Sequence, residues 1–328
     1  MKRRQFITLV GGATAAWPLA ARAQQPAMPV IGFLNMQSPE AFAEPLRGFR
    51  QGLKDTGYVE GENVAIEYRW AENQIDRLPA LAAELVRQQV AVIAATGGYP
   101  PVFAAKAATT TIPIVFETAG DPVQVGLVAS LDRPGGNITG VANLLVQMTP
   151  KRLQMLLEAI PSAKVVALLV NLANPTVAET QLREARSAAH TLGVDLPVLN
   201  ASTDRDFDTV FAKLIQSRAD GLVIAADPLF SSRNKQLAEL AVRHAVPAIF
   251  GLRDFAAAGG LMSYGTDTAQ AYHLAGIYTG RILKGEKPAN LPVQQSTKVE
   301  LIINIKTAKA LGLSIPNTLI GRADELIE

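Results

Sequence analysis

Two series of short apolar runs, each alternating with amphipathic stretches, fill the first and second halves of this chain and can be laid over one another. Asn35 falls on Asn171, Gly57 on Gly193, Thr96 on Asp227, and residues 112–116 on 246–250, at offsets of about 131 to 136 residues. A spacing that long rules out a solenoid repeat and predicts two similar lobes. Within each half, apolar runs of strand length alternate with stretches of helical period, the pattern of an α/β fold with mostly parallel sheets and helices on both faces.

In the first half, strands are expected over 30–34, 64–68, 90–95 and 112–116, and helices over 44–54, 75–88 and 101–108. A further strand at 138–143 follows the turn-rich Arg133-Pro134-Gly135-Gly136-Asn137. Thr118-Ala119-Gly120-Asp121-Pro122 reads as a turn whose carboxylate is placed to begin a helix. The second half predicts helices over 149–159, 177–192, 207–217 and 234–244. Its strands are expected over 165–170, 196–199, 221–226, 247–250 and 261–264. Gly57 and Gly193 stand where a left-handed residue would close a helix. A helix over 267–284 and short apolar runs at 291–293, 301–304 and 307–311 finish the chain.

The 328 residues, 48% of them hydrophobic and 18% charged, are enough for one or two cores and argue against disorder. There are no cysteines, so disulfides, thiolate metal sites and a cysteine nucleophile are excluded. Residues 1–23 read as a cleavable export signal: basic Lys2-Arg3-Arg4, a mild apolar segment, then Ala21-Arg22-Ala23. The pair Arg3-Arg4 before Gln5-Phe6-Ile7 has the twin-arginine pattern. These residues hold four basic side chains and no acid, so the formal charge of +2 becomes −2 without them. Nothing in that balance suggests a nucleic-acid partner.

In open parallel sheets, ligands bind beyond the carboxyl ends of the strands. The candidate binding residues are therefore Asn35, Met36, Thr96, Gly97, Gly98, Thr118 and Asp121 in the first half, and Asn171, Asp227, Arg253 and Tyr264 in the second. Each has a structural alternative: the Asn and Asp residues as turn formers or caps, Gly97-Gly98 as a tight turn, Arg253 as a solvated charge, Tyr264 as packing. Dinucleotide, Walker, serine-elbow and zinc-protease motifs are absent from the sequence. His190, His244 and His273 fall in helical stretches. Glu117 lies near the expected cleft without a partner carboxylate. No catalytic constellation, cofactor or metal site is expected.

The run IPIVFETAGDPVQVGLVASLDRPGGNITGV (residues 112–141) closely resembles the ABC-transporter substrate-binding proteins described as tryptophan/tyrosine-type uptake proteins. The likeness extends to Gly48-Phe49, to residues 57–64, to Ile282-Leu283-Lys284-Gly285-Glu286-Lys287-Pro288 with Leu291-Pro292-Val293, and to 304–312. The resemblance implies two Rossmann-like lobes of type I periplasmic-binding-protein architecture, with a three-strand hinge and a ligand in the cleft. It implies lobes of 28–142 plus 266–292 and of 143–265 plus 293–328. By position, Thr96, Asp121, Asn171 and Asp227 match cleft-facing loops of that family. The implied role is a periplasmic, monomeric receptor. It would hand an amino-acid-like or small aromatic or carboxylate solute to an ABC permease and its ATPase. The absence of a lipid-anchor cysteine fits a soluble form. A sensor domain feeding a membrane receptor is the alternative, and an enzyme is disfavoured.

Overall fold

The computed structural model describes residues 28–296 and 298–328, so the expected export signal lies outside the described residues. Among the described residues, thirteen strands form two sheets. The first sheet holds β1 (Val30–Asn35), β2 (Ala65–Trp70), β3 (Val92–Thr96), β4 (Ile114–Thr118), β5 (Ile138–Asn143) and β11 (Gln294–Ser296), in the order β11-β5-β4-β3-β1-β2. The second holds β6 (Val166–Val170), β7 (Val198–Asn200), β8 (Gly221–Ile224), β9 (Ala248–Phe250), β10 (Met262–Thr266), β12 (Val299–Asn304) and β13 (Glu325–Ile327), in the order β13-β12-β10-β9-β8-β6-β7. The orders β2-β1-β3-β4-β5 and β7-β6-β8-β9-β10 are the same path drawn twice, all parallel. The antiparallel pairing of β10 with β12 is added to the second.

Among the described residues, twelve α-helices accompany these strands. In the first lobe they are α1 (Ala43–Asp55), α2 (Leu78–Arg87) and α3 (Tyr99–Ala108). The second contains α4 (Thr149–Ala159), α5 (Pro175–Leu192), α6 (Phe207–Gln216), α7 (Pro228–Ser232), α8 (Asn234–Arg243) and α9 (Arg253–Ala257). After β10 come α10 (Thr268–Leu283), α11 (Ile305–Ala310) and α12 (Asn317–Ile320). Alternation along the strands sends side chains into helix layers on both faces. In β1, Ile31 and Phe33 join the core under α1 and α10, while Leu34 joins the one under α2 and α3. In β6, Leu168 and Leu169 divide in the same way between the two cores of the second lobe.

The chain crosses between lobes three times: after β5, after β10, and between β11 and β12. Helix α10 follows a strand of the second sheet yet packs on α1, β4 and β5 of the first. Its start is set by Asp267, whose Oδ1 accepts from the Gln270 N–H at 3.1 Å. Sheet membership puts Gln294–Ser296 with the first lobe, beyond the boundary expected after 292.

Other departures are local. Residues 75–77 form a 3₁₀ turn ahead of α2, and the short α7 and α9 come from stretches too brief for a 3.6-residue period to show. Asp121 begins no helix. Its Oδ1 accepts from the N–H groups of Val123 and Gln124 at 2.8 and 3.3 Å, closing a turn that ends at the left-handed Gly126. Among the described residues, no helix is long and apolar enough to cross a membrane.

Candidate functional site

A cleft of about 1390 Å³ opens between the lobes, at the carboxyl ends of both sets of parallel strands. Its first wall carries Gly97, Gly98, Glu117 and Asn143 with three aromatic side chains, Phe42, Tyr99 and Tyr272. The second wall carries Asn174, Asp227, Pro228 and Leu252, and its hinge end is lined by Ser263, Gly265 and Thr266 of β10. A large, partly apolar concavity with a few convergent polar groups is the ordinary form of a small-molecule site.

Of the candidate residues, Gly97, Gly98, Asp227 and Arg253 line this cleft, whereas Asn35, Met36, Thr96, Thr118, Asp121, Asn171 and Tyr264 do not. The reason is that several of them tie strand ends together. Asn35 is fully buried; its Nδ2 donates to Thr96 Oγ1 at 2.8 Å and its Oδ1 accepts from the Gln37 N–H at 2.7 Å. Asn171 repeats the device, donating to Asp227 Oδ1 at 3.1 Å and accepting from the Ala173 N–H at 3.0 Å. The internal duplication therefore extends to a pair of strand-end clasps. Met36 sits in the core, and Thr118 is buried with its hydroxyl 3.4 Å from the Gly120 carbonyl. Tyr264 packs on the second core, and its carbonyl accepts from Arg152. Arg253, at the rim, is paired in bidentate fashion with Glu325 through Nε–Oε2 and Nη2–Oε1 bonds of 2.7 and 2.5 Å.

Asp227 is buried and also caps α7. Its Oδ1 accepts from the Leu229 N–H at 2.9 Å and its Oδ2 from Asn174 Nδ2 at 2.9 Å. Burial raises its pKa from the ordinary carboxylate value, against the opposing pull of these donors and Asn171.

Glu117, Asn143, Tyr99, Tyr272, Ser263 and Thr266 were not singled out as binding residues. Glu117 is enclosed on β4. Asn143 Nδ2 donates to its Oε1 at 2.7 Å, and the Tyr272 hydroxyl and Gly97 N–H lie beside it and favour its charged form. Burial dominates and pushes its pKa up to about 7. Tyr272, whose own pKa is raised by burial and by Glu117, stands perpendicular to Phe42 with ring centroids 4.8 Å apart. Its position at the end of a strand places Glu117 near the expected cleft in the sequence, but nothing there assigns it a ligand contact. Ser263 and Thr266 are almost wholly buried, and among the described residues neither hydroxyl has a hydrogen-bond partner.

The walls touch across the cleft. Gln37 Nε2 donates to the Pro228 carbonyl and Asn73 Nδ2 to Ser232 Oγ, each at 3.2 Å. At Gly98 (φ 107°), a Cβ would lie 3.1 Å from Pro228 Cγ of the opposite lobe, so the left-handed backbone and this approach both favour glycine.

Residues 30–327 match the family described as ABC transporter substrate binding protein. The chain belongs to that family. A substrate-binding protein of this family carries its ligand without chemical change. A Tyrosine-binding protein of Clostridioides difficile (strain R20291) is 27% identical over 298 residues, covering 90% of this chain and 85% of that protein. Among solved structures, a conserved domain protein from Vibrio cholerae is 26% identical, with a TM-score of 0.82, covering 91% of this chain and 99% of its own. An ABC domain in complex with L-Trp from Streptococcus pneumonia also has a TM-score of 0.82, at 22% identity and the same coverage. A ligand-free, open substrate-binding protein from Clostridium difficile is 25% identical, with a TM-score of 0.64 and again the same coverage.

Proposed function

We propose that this substrate-binding protein works outside the cytoplasmic membrane, capturing an aromatic, amino-acid-like solute in the interlobe cleft and delivering it to an ABC permease and its ATPase. The observation that carries the ligand class is the wall of Phe42, Tyr99 and Tyr272 set beside polar groups from both lobes. Tyrosine and tryptophan binding by relatives is consistent with it. Gly97, Gly98 and Asp227 contact the ligand together with Glu117, Asn143, Tyr99 and Tyr272. The unpartnered hydroxyls of Ser263 and Thr266 supply further hydrogen bonds.

Closure about the three crossovers encloses the solute. The cross-lobe bonds at Gln37 and Asn73 support that closure. The lobes that move comprise about residues 28–143 plus 267–296 and 149–266 plus 298–328, and the protein acts as a monomer.

A thermal-shift screen of the twenty amino acids and simple aromatic acids and amines tests the reading, because a ligand of the native state raises the melting temperature with concentration. Stabilisation by aromatic members is expected. Stabilisation confined to sugars or aliphatic solutes would overturn the assignment.

A further inference from the structure

Glu117 is a buried carboxylate facing the cleft whose contacts are all neutral. Asn143 of β5, Tyr272 of α10 and the Gly97 N–H surround it; Tyr99 of α3 and the carboxylate Asp121 lie further off. No Lys, Arg or His side chain is among the groups that bond or electrostatically shift it in the described residues. Asp227 adds a second buried carboxylate from the opposite wall. The basic groups around the cleft are committed elsewhere or lie at its edge. Arg233 pairs with Asp204 and Arg253 with Glu325, while Lys235 is exposed at the rim. A buried carboxylate without a cation is unfavourable unless something supplies the positive charge. The same cleft also offers the orphaned hydroxyls of Ser263 and Thr266 to a polar ligand.

Building on the aromatic-solute reading above, we propose that the recognised group is a protonated amine seated on Glu117, with Tyr272 and Asn143 orienting the carboxylate, and that a ligand carboxylate is dispensable. Capture then involves loss of the Glu117 proton to solvent as the ammonium arrives. Free Glu117 titrates near 7, so its ionised fraction rises about tenfold between pH 6 and pH 8, and affinity for an amine should rise by the same factor. The amine of tryptamine stays protonated over that range, as a lysine does.

Calorimetric titration of L-tryptophan, tryptamine and indole-3-propionate at pH 6 and pH 8, in buffers of different ionisation enthalpy, tests this. Wild type should bind the two amines and bind indole-3-propionate at least tenfold more weakly. Tryptamine should bind about tenfold tighter at pH 8, with close to one proton released at pH 6. Glu117→Gln should lose that pH dependence and bind tryptamine at least tenfold more weakly at pH 8.

Tyr272→Phe keeps the carboxylate but removes a donor to its charged form. The pH midpoint should therefore move upward, which a purely structural role would not produce. It also provides a second test if Glu117→Gln does not fold. Equal binding of indole-3-propionate and L-tryptophan, or an unchanged pH profile in either folded variant, would overturn the amine site while leaving aromatic binding intact. Failure of all three probes to bind wild type would overturn both.

Discussion

At Asn35, one side chain joins two strand ends: its amide donates to Thr96 and its carbonyl oxygen receives the Gln37 N–H, all out of contact with solvent. Asn35→Ala orphans both partners, and we expect a loss of about 1–3 kcal/mol by urea denaturation. Ligand affinity should change less than stability, because the residue clasps the loop without lining the cleft. Glu117 makes the opposite kind of contribution. A carboxyl whose folded pKa is raised gives stability that is full below its unfolded value near 4.5 and is lost as pH rises through about 7. The difference corresponds to about 3 kcal/mol. The ligand-free wild type should therefore weaken between pH 5 and pH 8 relative to Glu117→Gln, and denaturation at the two pH values checks the sign. The sequence marked Asn35, Thr96, Asn171 and Asp227 as equivalent strand-end positions. Whether a strand-end polar group points across to the next strand or into the cleft depends on side-chain direction, which spacing does not specify.

At the scale of elements, α1 and α10 approach backbone to backbone. A Cβ at Gly48 would press on the Ala269 carbonyl, at Gly52 on the His273 carbonyl, and at Gly276 on the Phe49 carbonyl; one at Gly280 would strike Thr56. Carbonyls inside helices cannot swing aside as a side-chain tip can. Gly52→Ala should therefore cost about 3 kcal/mol, even though alanine is the better helix former. Chemical denaturation measures the loss. Because α10 carries Tyr272, amine binding should weaken in parallel if the variant folds. The helical period of 44–54 and 267–284 was plain in the sequence, as were the bounds of β5 and α4, which the structure reproduces. The contact between α1 and α10 was not plain, since glycines four apart in two helices more than 200 residues distant give no local signal of their pairing. The turn at Asp121 was misread because a carboxylate followed by proline serves a helix start and a tight turn equally well.

Across the whole molecule, duplication and strand alternation were enough to predict two lobes, while the return of α10 to the first lobe rested on family resemblance. The bonds that hold the lobes together were hidden, because they join residues with no sequence relation, such as Asn73 and Ser232. Under the proposed closure that contact forms only when the lobes come together, so its strength should appear in ligand affinity through the balance of open and closed forms. Asn73 has a left-handed backbone, φ 60°, and alanine there would add strain unrelated to closure. Asn73→Gly tolerates that backbone and removes only the side chain that crosses the cleft. One neutral hydrogen bond contributes about 1 kcal/mol, which corresponds to roughly fivefold in an equilibrium between forms. Tryptamine should therefore bind the variant up to about fivefold more weakly, chiefly through faster release, and the ligand-free variant should give a larger radius of gyration by small-angle scattering. Ligand at saturation should return it to the compact value of wild type. An unchanged off-rate together with an unchanged free-state radius would mean that the Asn73–Ser232 contact does not govern closure.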